Sequence, residues 1–215
     1  MRNNIVQPEG NYYDKYGSGN PIVKKLMSGF FSAFDDMLEA SQIANRGGCC
    51  LEAGCGEGHV TEHVSDWILS SEVNIRFSAF DISQKLIDDN QIRLPQVDFW
   101  SHDIYKPLES EHLPDERGFD LIICSEVLEH MERPKDALKN LMDYGNRFII
   151  SVPHEPIWRI MNMARGKYLK DLGNTPGHIQ HFSAQTFCEM LRECGLEVVE
   201  LEKPLPWLMA YCTIE

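Results

Sequence analysis

The sequence predicts an α/β protein built on a doubly wound, mostly parallel sheet. Short and nearly continuous apolar runs alternate with stretches of helical periodicity, the pattern of parallel strands buried on both faces. Five such runs lie at residues 49–54, 73–80, 97–101, 119–125 and 147–152. A helix from Ala184 to Glu193, ended by Gly195, precedes two further strands at 196–202 and 206–212. This alternation indicates helices layered on both sides of one sheet.

The amino-terminal part has a different pattern. Residues 1–20 are polar and rich in turn formers, and a helix is predicted from Pro21 to about Ala44. Its apolar residues recur every four positions, a spacing that favours one helical face. They are Ile22, Leu26, Phe30, Phe34 and Leu38. We therefore expect residues 1–45 to form a helical cap on a main domain of residues 46–215.

The composition limits the class of protein and its partners. Hydrophobic residues make up 43% and charged residues 25% of the 215 residues, as in ordinary globular domains. Thirty-three acidic against 20 basic residues give a net charge of −13, which argues against nucleic acid and anionic membrane surfaces as partners. No stretch approaches the roughly 18 apolar residues of a membrane span, and no signal peptide is evident. A cytoplasmic monomer or homodimer is expected.

Seven cysteines occur without any C-x-x-C pair, and an odd number leaves one over. This pattern fits neither a disulfide framework nor a thiolate zinc site. Several of the cysteines lie inside apolar runs, where a thiol behaves as a small hydrophobic group. We expect reduced core residues.

The first strand runs into a glycine-rich turn, LEAGCGEGH at residues 51–59. Gly54 and Gly56 let the backbone adopt positive φ and let a ligand approach closely. The third glycine comes one residue too early for the usual dinucleotide spacing. Glu52 lies two residues before the first glycine, where a carboxylate suits a cationic ligand better than a pyrophosphate.

Acidic residues also end the next two strands. Asp81 in FDIS is placed to accept the hydroxyls of a ribose, and Ile82 can lie against an adenine face. Asp103 in HDI offers an acceptor for an adenine amino group. Each acid alone is equally compatible with a helix cap, but the three acids in register with the glycine turn predict a nucleoside site.

These motifs resemble those of class I S-adenosylmethionine (AdoMet)-dependent methyltransferases of the small-molecule type, over roughly residues 12–200. LEAGCGEGH, FDIS, HDI and FDLIICSEVLEHM match the family's motifs in order. The resemblance implies a Rossmann-like seven-stranded sheet whose last strand is antiparallel. It also implies an AdoMet site, with S-adenosylhomocysteine as product, formed by Glu52, Gly54, Cys55, Gly56, Asp81, Ile82, Asp103, Ile104 and the backbone near Ser125.

In related enzymes a tyrosine-containing amino-terminal segment closes over AdoMet. The resemblance therefore makes Tyr12, Tyr13 and Tyr16 candidates for cofactor contacts. An aromatic cluster that docks the first helix is an equally good interpretation of these residues.

Methyl transfer from a sulfonium needs alignment more than a covalent nucleophile, but an oxygen acceptor also needs a base. Three histidines after the fifth strand are candidate bases, namely His154, His178 and His181. Each has a structural role in a loop as its alternative.

The string SEVLEH places Glu126, Glu129 and His130 at i, i+3 and i+4, which on a helix turn would share one face. Similar strings ligate metal in small-RNA ribose and ubiquinone-type O-methyltransferases, and the resemblance makes His178 the candidate for their downstream histidine. Many methyltransferases without metal have the same string. We expect no metal and keep this set as the alternative.

An insertion at residues 153–182 should lie over the carboxyl edge of the sheet as a lid. Trp158, Met161 and Tyr168 are the candidate acceptor contacts, since flexible and aromatic side chains suit an apolar ligand. Four basic residues and no acid occur between 157 and 170. They indicate an anionic acceptor, a lipid contact or a solvated basic face.

The sequence thus predicts an AdoMet-dependent methyltransferase for a small, partly apolar acceptor methylated at O, N, S or C. Two alternatives remain open. One is a metal-dependent ribose- or catechol-type O-methyltransferase, and the other is an AdoMet-binding regulatory protein without activity.

Overall fold

The computed structural model describes residues 20–71, 73–115 and 117–214. Its strands are β1 Gly48–Ala53, β2 Ile75–Asp81, β3 Asp98–Ser101, β4 Leu121–Ser125, β5 Arg147–Pro153, β6 Leu196–Glu202 and β7 Trp207–Ile214. Its helices are α1 Pro21–Ser41, α2 Ile43–Arg46, α3 His59–Ser70, α4 Gln84–Arg93, α5 Pro134–Met142, α6 Ile157–Ala164 and α7 Ala184–Cys194. Single turns of 3-10 helix lie at Ser110–His112, Leu128–His130 and Leu169–Asp171. All seven predicted strands are present, with ends shifted by at most two residues.

The strands form one sheet in the order β3-β2-β1-β4-β5-β7-β6. Strands β1 to β5 are parallel, whereas β7 runs antiparallel to both β5 and β6. The predicted Rossmann-like sheet with an antiparallel last strand is confirmed. The strand order reverses between β1 and β4, and open α/β sheets bind their ligands in the crevice at such a point.

Two apolar layers cover the two faces of the sheet. On one face, helices α1, α3 and α4 pack against residues such as Leu121, Ile149 and Met209. On the other face, α5 and α7 pack against Leu51, Ile122 and the strand residues that alternate with those of the first face. Because both faces are buried, the central strands are apolar almost throughout, as their sequences predicted.

Helix α1 belongs to the first of these layers, since its Phe30 ring lies 5.0 Å from that of Trp207 in β7. One detail of the predicted face is wrong. Phe30 and Phe34 are buried, but Ile22 is 68% exposed. A spacing of four residues drifts about 40° per step around a helix of 3.6 residues per turn. Val23 and Met27 are therefore buried at the start of the helix in place of Ile22.

The cysteines agree with the prediction of core residues. All seven lie among the described residues and all are free thiols. Six are buried, and Cys49 is half-buried. Burial raises the pKa of the Cys124 thiol far above its usual range, which keeps it protonated and unreactive.

None of the helices within the described ranges is both long enough and apolar enough to span a membrane.

The corrected face of α1 can be tested by a pair of substitutions. We expect Phe34→Ala to lower the free energy of unfolding by about 3 to 5 kcal/mol, because it leaves a cavity in the core. Ile22→Ala, from the same predicted series, should change it by less than about 0.5 kcal/mol. Urea denaturation followed by circular dichroism measures both. Similar losses for the two variants would contradict the burial described here.

Candidate active site

The glycine turn between β1 and α3 is held against the end of β2. The amides of Gly54 and Cys55 both donate to the carbonyl oxygen of Phe80, at 2.8 and 3.0 Å. The amide of Gly56 donates to Asp81 Oδ2 at 2.9 Å. The turn therefore lies at the reversal point of the strand order, where a ligand site is expected.

The three glycines of the turn have positive φ, at 79° for Gly54, 52° for Gly56 and 72° for Gly58. A Cβ on Gly54 would come within 2.6 Å of the Val127 side chain, so only glycine lets these two parts of the chain lie so close together. A Cβ on Gly56 would meet no atom of the described residues within 4 Å. The space beside Gly56 is therefore open, in the position where a ligand would contact the turn.

Asp81 holds the turn in place through hydrogen bonds to two backbone amides. Its Oδ2 accepts from Gly56, and its Oδ1 accepts from the amide of Ser83 at 2.9 Å. A carboxylate oxygen has two lone-pair sites, so each oxygen keeps one for a ligand hydroxyl. The sequence did not predict the part played by Asn90 in α4, whose Nδ2 donates to the Gly56 carbonyl at 2.9 Å. The available signal was spacing, because Asn90 lies three residues after Ile87, the other buried residue of this polar helix.

The predicted adenine contacts follow the next strand ends. Ile82 is exposed beside Asp81, which leaves its side chain available as an apolar surface. Asp103 Oδ1 accepts from the amide of Tyr105 at 3.1 Å, and its Oδ2 lies 3.7 Å from Lys106 Nζ. Ile104 is buried in the core below them. All of these residues lie at the carboxyl edge of the sheet.

Glu52 is a buried acid beneath the turn. Its Oε2 accepts from the hydroxyl of Thr61 in α3 at 2.6 Å. Burial raises the pKa of Glu52 to about 8, although the Thr61 hydrogen bond opposes this, and nearby Asp81 raises it slightly further. The side chain is consequently protonated at neutral pH in the absence of a nearby cation.

Strand β4 ends beside β1 and bounds the site on its other side. The hydroxyl of Ser125 is buried and hydrogen-bonded to that of Ser151 at 2.7 Å. The backbone of Glu126 then adopts φ 59°, and its amide donates to the Ser151 carbonyl. Glu126 Oε2 accepts from Trp207 Nε1 at 2.8 Å. This turn directs the Glu126 carboxylate toward β7.

A cleft opens next to this turn, between the start of α1, the end of β4 and the lid. Its wall includes the predicted acceptor residues Trp158, Met161 and Tyr168. Sequence reasoning did not assign the remaining wall, since those residues come from distant parts of the chain. They include Val23, Leu26, Met27, Asn162, Thr175, Pro206 and Trp207. The same wall also contains charged and polar groups, among them Glu129, His130 and His178. Convergent polar groups in a partly apolar cleft are typical of small-molecule sites.

Trp158 is anchored in this wall rather than left on the surface. Its Nε1 donates to the hydroxyl of Thr175 at 2.9 Å, and its ring lies 5.7 Å from that of Trp207. Asn162 Nδ2, buried behind it, donates to the Gly173 carbonyl at 2.9 Å. Tyr12, Tyr13 and Tyr16, the candidates for cofactor contacts, lie outside the described residues.

The three candidate bases lie in different places. His178 is buried and lines the cleft. His181 lies in a separate shallow depression, where its Nε2 is 2.9 Å from Asn174 Oδ1. His154 follows β5, and its amide donates to the Pro206 carbonyl. Burial lowers the pKa of both His154 and His181, helped by Lys203 and Arg159 respectively, so both are neutral at pH 7.

The SEVLEH segment does not form the helix turn that its spacing predicted. Glu126 has positive φ, and a 3-10 turn follows at Leu128–His130. The segment instead meets a distant loop, because the Glu129 carbonyl accepts from the amides of Ile179 and Gln180 at 2.9 and 3.0 Å. Glu129, His130 and His178 then each offer one ligand atom within 4.8 Å of the others. Glu126 is not part of this group.

His130 is oriented within the group by a backbone contact. Its Nδ1 lies 3.0 Å from the carbonyl oxygen of Gly177, which can only accept a hydrogen bond. Nδ1 therefore carries the proton, and in the neutral ring Nε2 keeps its lone pair. Nε2 lies 3.9 Å from Glu129 Oε1.

Comparison with known proteins agrees with this geometry. A family model described as "Methyltransferase domain" matches residues 29–201. The malonyl-[acyl-carrier protein] O-methyltransferase of Bacillus cereus is 24% identical over 192 residues, which cover 86% of this chain and 64% of that protein. The mitochondrial ubiquinone biosynthesis O-methyltransferase of Schizosaccharomyces pombe is 30% identical over 94 residues, or 43% of this chain and 32% of that protein. The chain thus spans less than two thirds of these curated relatives.

A solved structure shares the fold across nearly the whole chain. It is magnesium protoporphyrin IX methyltransferase from Synechocystis PCC 6803, crystallised with bound S-adenosylhomocysteine. The TM-score is 0.65 at 19% identity, covering 94% of this chain and 91% of that one. The family match, the strand order and the glycine turn agree with one another. The chain belongs to the methyltransferase domain family, of the class I S-adenosylmethionine-dependent type.

Proposed function

We propose that the protein transfers the methyl group of AdoMet to a small, partly apolar acceptor held in the cleft beside the lid. The single observation on which this rests is the open space at Gly56, beside the carboxylate of Asp81 and one turn beyond the buried acid Glu52 at the end of β1. AdoMet supplies an activated methyl group on a sulfonium. The protein's own part is to bind, orient and exclude water.

The residues fit AdoMet in three places. The Asp81 oxygens retain acceptor sites for the two ribose hydroxyls, and Ile82 offers an apolar face for adenine. Asp103 provides an acceptor at the next strand end. Glu52 supplies a negative charge for the cationic end of the ligand, which is the part nearest the reacting methyl group. Tyr12 and Tyr16 stay predictions, since they lie outside the described residues.

We propose an oxygen acceptor, because both curated relatives described above are named as O-methyltransferases. An oxygen acceptor loses a proton as it is methylated. His178 is the favoured base among the three candidates, since it alone of them lines the cleft. Trp158, Met161 and Tyr168 would hold the apolar part of the acceptor against the same wall.

The cofactor site is tested by adding one methyl group to the turn. In Gly56→Ala the new Cβ strikes no atom of the described part of the chain but occupies the proposed ligand space. We expect the affinity for S-adenosylhomocysteine, measured by calorimetry, to fall by about 5- to 100-fold, because such overlap costs about 1 to 3 kcal/mol.

Gly166→Ala is the matched control for this experiment. Gly166 also has positive φ, at 70°, and also meets no atom within 4 Å, but it lies in the lid. Both variants should lose about 1 to 2 kcal/mol of stability from the left-handed backbone. Only Gly56→Ala should lose affinity. Equal affinities of the two variants would contradict the site, and a wild-type protein that binds no S-adenosylhomocysteine would contradict the proposed function.

Glu52 makes cofactor binding dependent on pH. The free protein holds a proton on Glu52 at pH 7, because the folded pKa is about 8. A cationic ligand favours the ionised form, so binding should release up to about one proton. The affinity should accordingly rise with pH toward 8 and then level off.

Calorimetry of AdoMet binding in two buffers with different ionisation enthalpies measures this proton release. Glu52→Gln keeps an oxygen that can accept from Thr61 but cannot ionise. The Glu52→Gln protein should bind AdoMet without releasing this proton. An unchanged proton count in the Gln variant would show that Glu52 is not the titrating group.

A second candidate function is supported by the grouping of Glu129, His130 and His178. Two imidazoles and one carboxylate suit Zn²⁺ or Mn²⁺, and the Gly177 contact orients one imidazole as in many metal sites. A metal held there would lower the pKa of an acceptor hydroxyl in the cleft. This corresponds to a metal-dependent O-methyltransferase.

The metal hypothesis is tested by direct binding of Zn²⁺ and Mn²⁺ to the full chain. His178→Ala should weaken binding by at least about tenfold, since it removes one of three ligands. His181→Ala, a nearby histidine outside the group, should leave binding unchanged. Methyl transfer that withstands EDTA, or equal metal binding by the two variants, would exclude this function.

A further inference from the structure

We propose that the outer surface of the lid docks onto an anionic phospholipid bilayer. The outer lid surface is defined here by four apolar residues and four basic ones. The apolar residues are Ile160, Met163, Leu169 and Leu172. The basic residues are Arg159 and Lys170, together with Arg165 and Lys167 at the rim that this surface shares with the cleft.

Helix α6 is apolar on the side that faces solvent as well as on the side that faces the cleft. Met161 lines the cleft and Asn162 is buried, so these residues mark the inner side. Ile160 and Met163 lie on the opposite side and are 55% and 37% exposed. A surface helix ordinarily presents polar residues to water. An outward apolar side is therefore a candidate interaction surface.

The following 3-10 turn adds to the same surface. Leu169 and Leu172 are 58% and 64% exposed, so four large exposed apolar residues occur within 13 positions of the chain. The turn is fastened to α6, because Arg159 Nε donates to the Leu172 carbonyl at 3.0 Å. Asn162 Nδ2 also donates to the Gly173 carbonyl. The apolar residues thus belong to one folded unit.

The charge of this unit is opposite to that of the whole chain. Residues 157–172 contain four basic residues and one acid, Asp171, in a protein of net charge −13. Each basic residue near an anionic lipid surface adds to binding, and exposed aliphatic residues insert between the headgroups. The acidic body would be repelled by such a surface, so contact is restricted to the lid.

A bilayer fits these residues better than a protein partner does. Protein interfaces are enriched in aromatic residues and depleted of lysine. Here the aromatic residues of the unit, Trp158 and Tyr168, line the cleft, while Leu169 and Lys170 are exposed outside it. Lysine, arginine and protruding aliphatic side chains are the composition of interfacial membrane contacts.

The position of the surface also suits the proposed function, on which this last step rests. Arg165, Lys167 and Tyr168 line the cleft and belong to the same unit as Leu169 and Lys170. The mouth of the cleft therefore lies beside the docking surface. An apolar acceptor dissolved in the bilayer would enter the cleft without crossing water. Docking itself requires neither AdoMet nor activity.

Sedimentation with vesicles tests the proposal on the full chain. We expect the protein to pellet with vesicles of phosphatidylcholine mixed with phosphatidylglycerol, and not with phosphatidylcholine alone. Added salt should weaken the binding, because the attraction is screened. Lys170→Glu should reduce the partition coefficient by roughly tenfold or more, from the reversal of one charge near the surface.

Two double variants test whether vesicle binding depends on the apolar residues of the lid or on exposed apolar residues anywhere on the protein. Leu169→Gln with Leu172→Asn removes two exposed side chains, and asparagine tolerates the positive φ of 50° at residue 172. Leu69→Gln with Ile92→Gln removes two equally exposed side chains from α3 and α4. Only the lid pair should lose vesicle binding.

Three results would overturn the proposal. They are wild-type protein that stays in solution at low salt, equal losses from the two double variants, and lid-dependent binding to a purified acidic carrier protein without vesicle binding. Calorimetry with S-adenosylhomocysteine is run on the same samples. A protein that binds S-adenosylhomocysteine but no vesicles refutes only the docking, and the reverse result refutes only the methyltransferase function.

Discussion

The hydrogen bonds between the glycine turn and the end of β2 are the contacts on which the proposed cofactor site depends. Parallel pairing places Ala53 beside Phe80, so the next amides of the turn donate to the Phe80 carbonyl. Asp81 then receives the amide of Gly56. Asn90 holds the other side of the same residue. The turn beside Gly56 is fixed by strand pairing on one side and by the Asn90 hydrogen bond on the other. Such preorganisation lowers the entropic cost of binding.

The acceptor side is built differently. Its wall comes from the start of α1, the turn after β4, the lid and the edge of β7, and side-chain contacts join these parts. The loop that contains His178 reaches the cleft because the Glu129 carbonyl accepts two of its amides. Trp158 is held by Thr175, and Glu126 by Trp207. A wall assembled from loops changes readily in sequence while the sheet below it is retained, and the acceptor is therefore the property on which members of one fold differ most.

Charge is also distributed by function in this chain. Glu52, Asp81 and Asp103 lie at the carboxyl edge of the sheet, where each has a local partner before any ligand arrives. Glu52 is the extreme case, because its burial makes the neutral form stable until a cation is nearby. The basic residues of the lid lie at the rim of the cleft and on the lid surface beside it. An acidic body with a basic lid orients the molecule toward anionic surfaces, even though its net charge opposes general attraction to them.

The sequence by itself determined the seven strands, the glycine turn and the acids at the strand ends, whereas the antiparallel last strand was expected only from the resemblance to class I methyltransferases. These features are local, since a strand, a turn and the residue after a strand are each encoded within a few positions. Only the tertiary structure decided that Ile22 is exposed while Val23 is buried, that Glu126 turns toward Trp207, and which of the histidines lines the cleft. His178 joins Glu129 and His130 across almost fifty residues of chain through backbone hydrogen bonds. Spacing in the sequence carries no information about such a meeting, because it is set by how the lid packs onto the sheet.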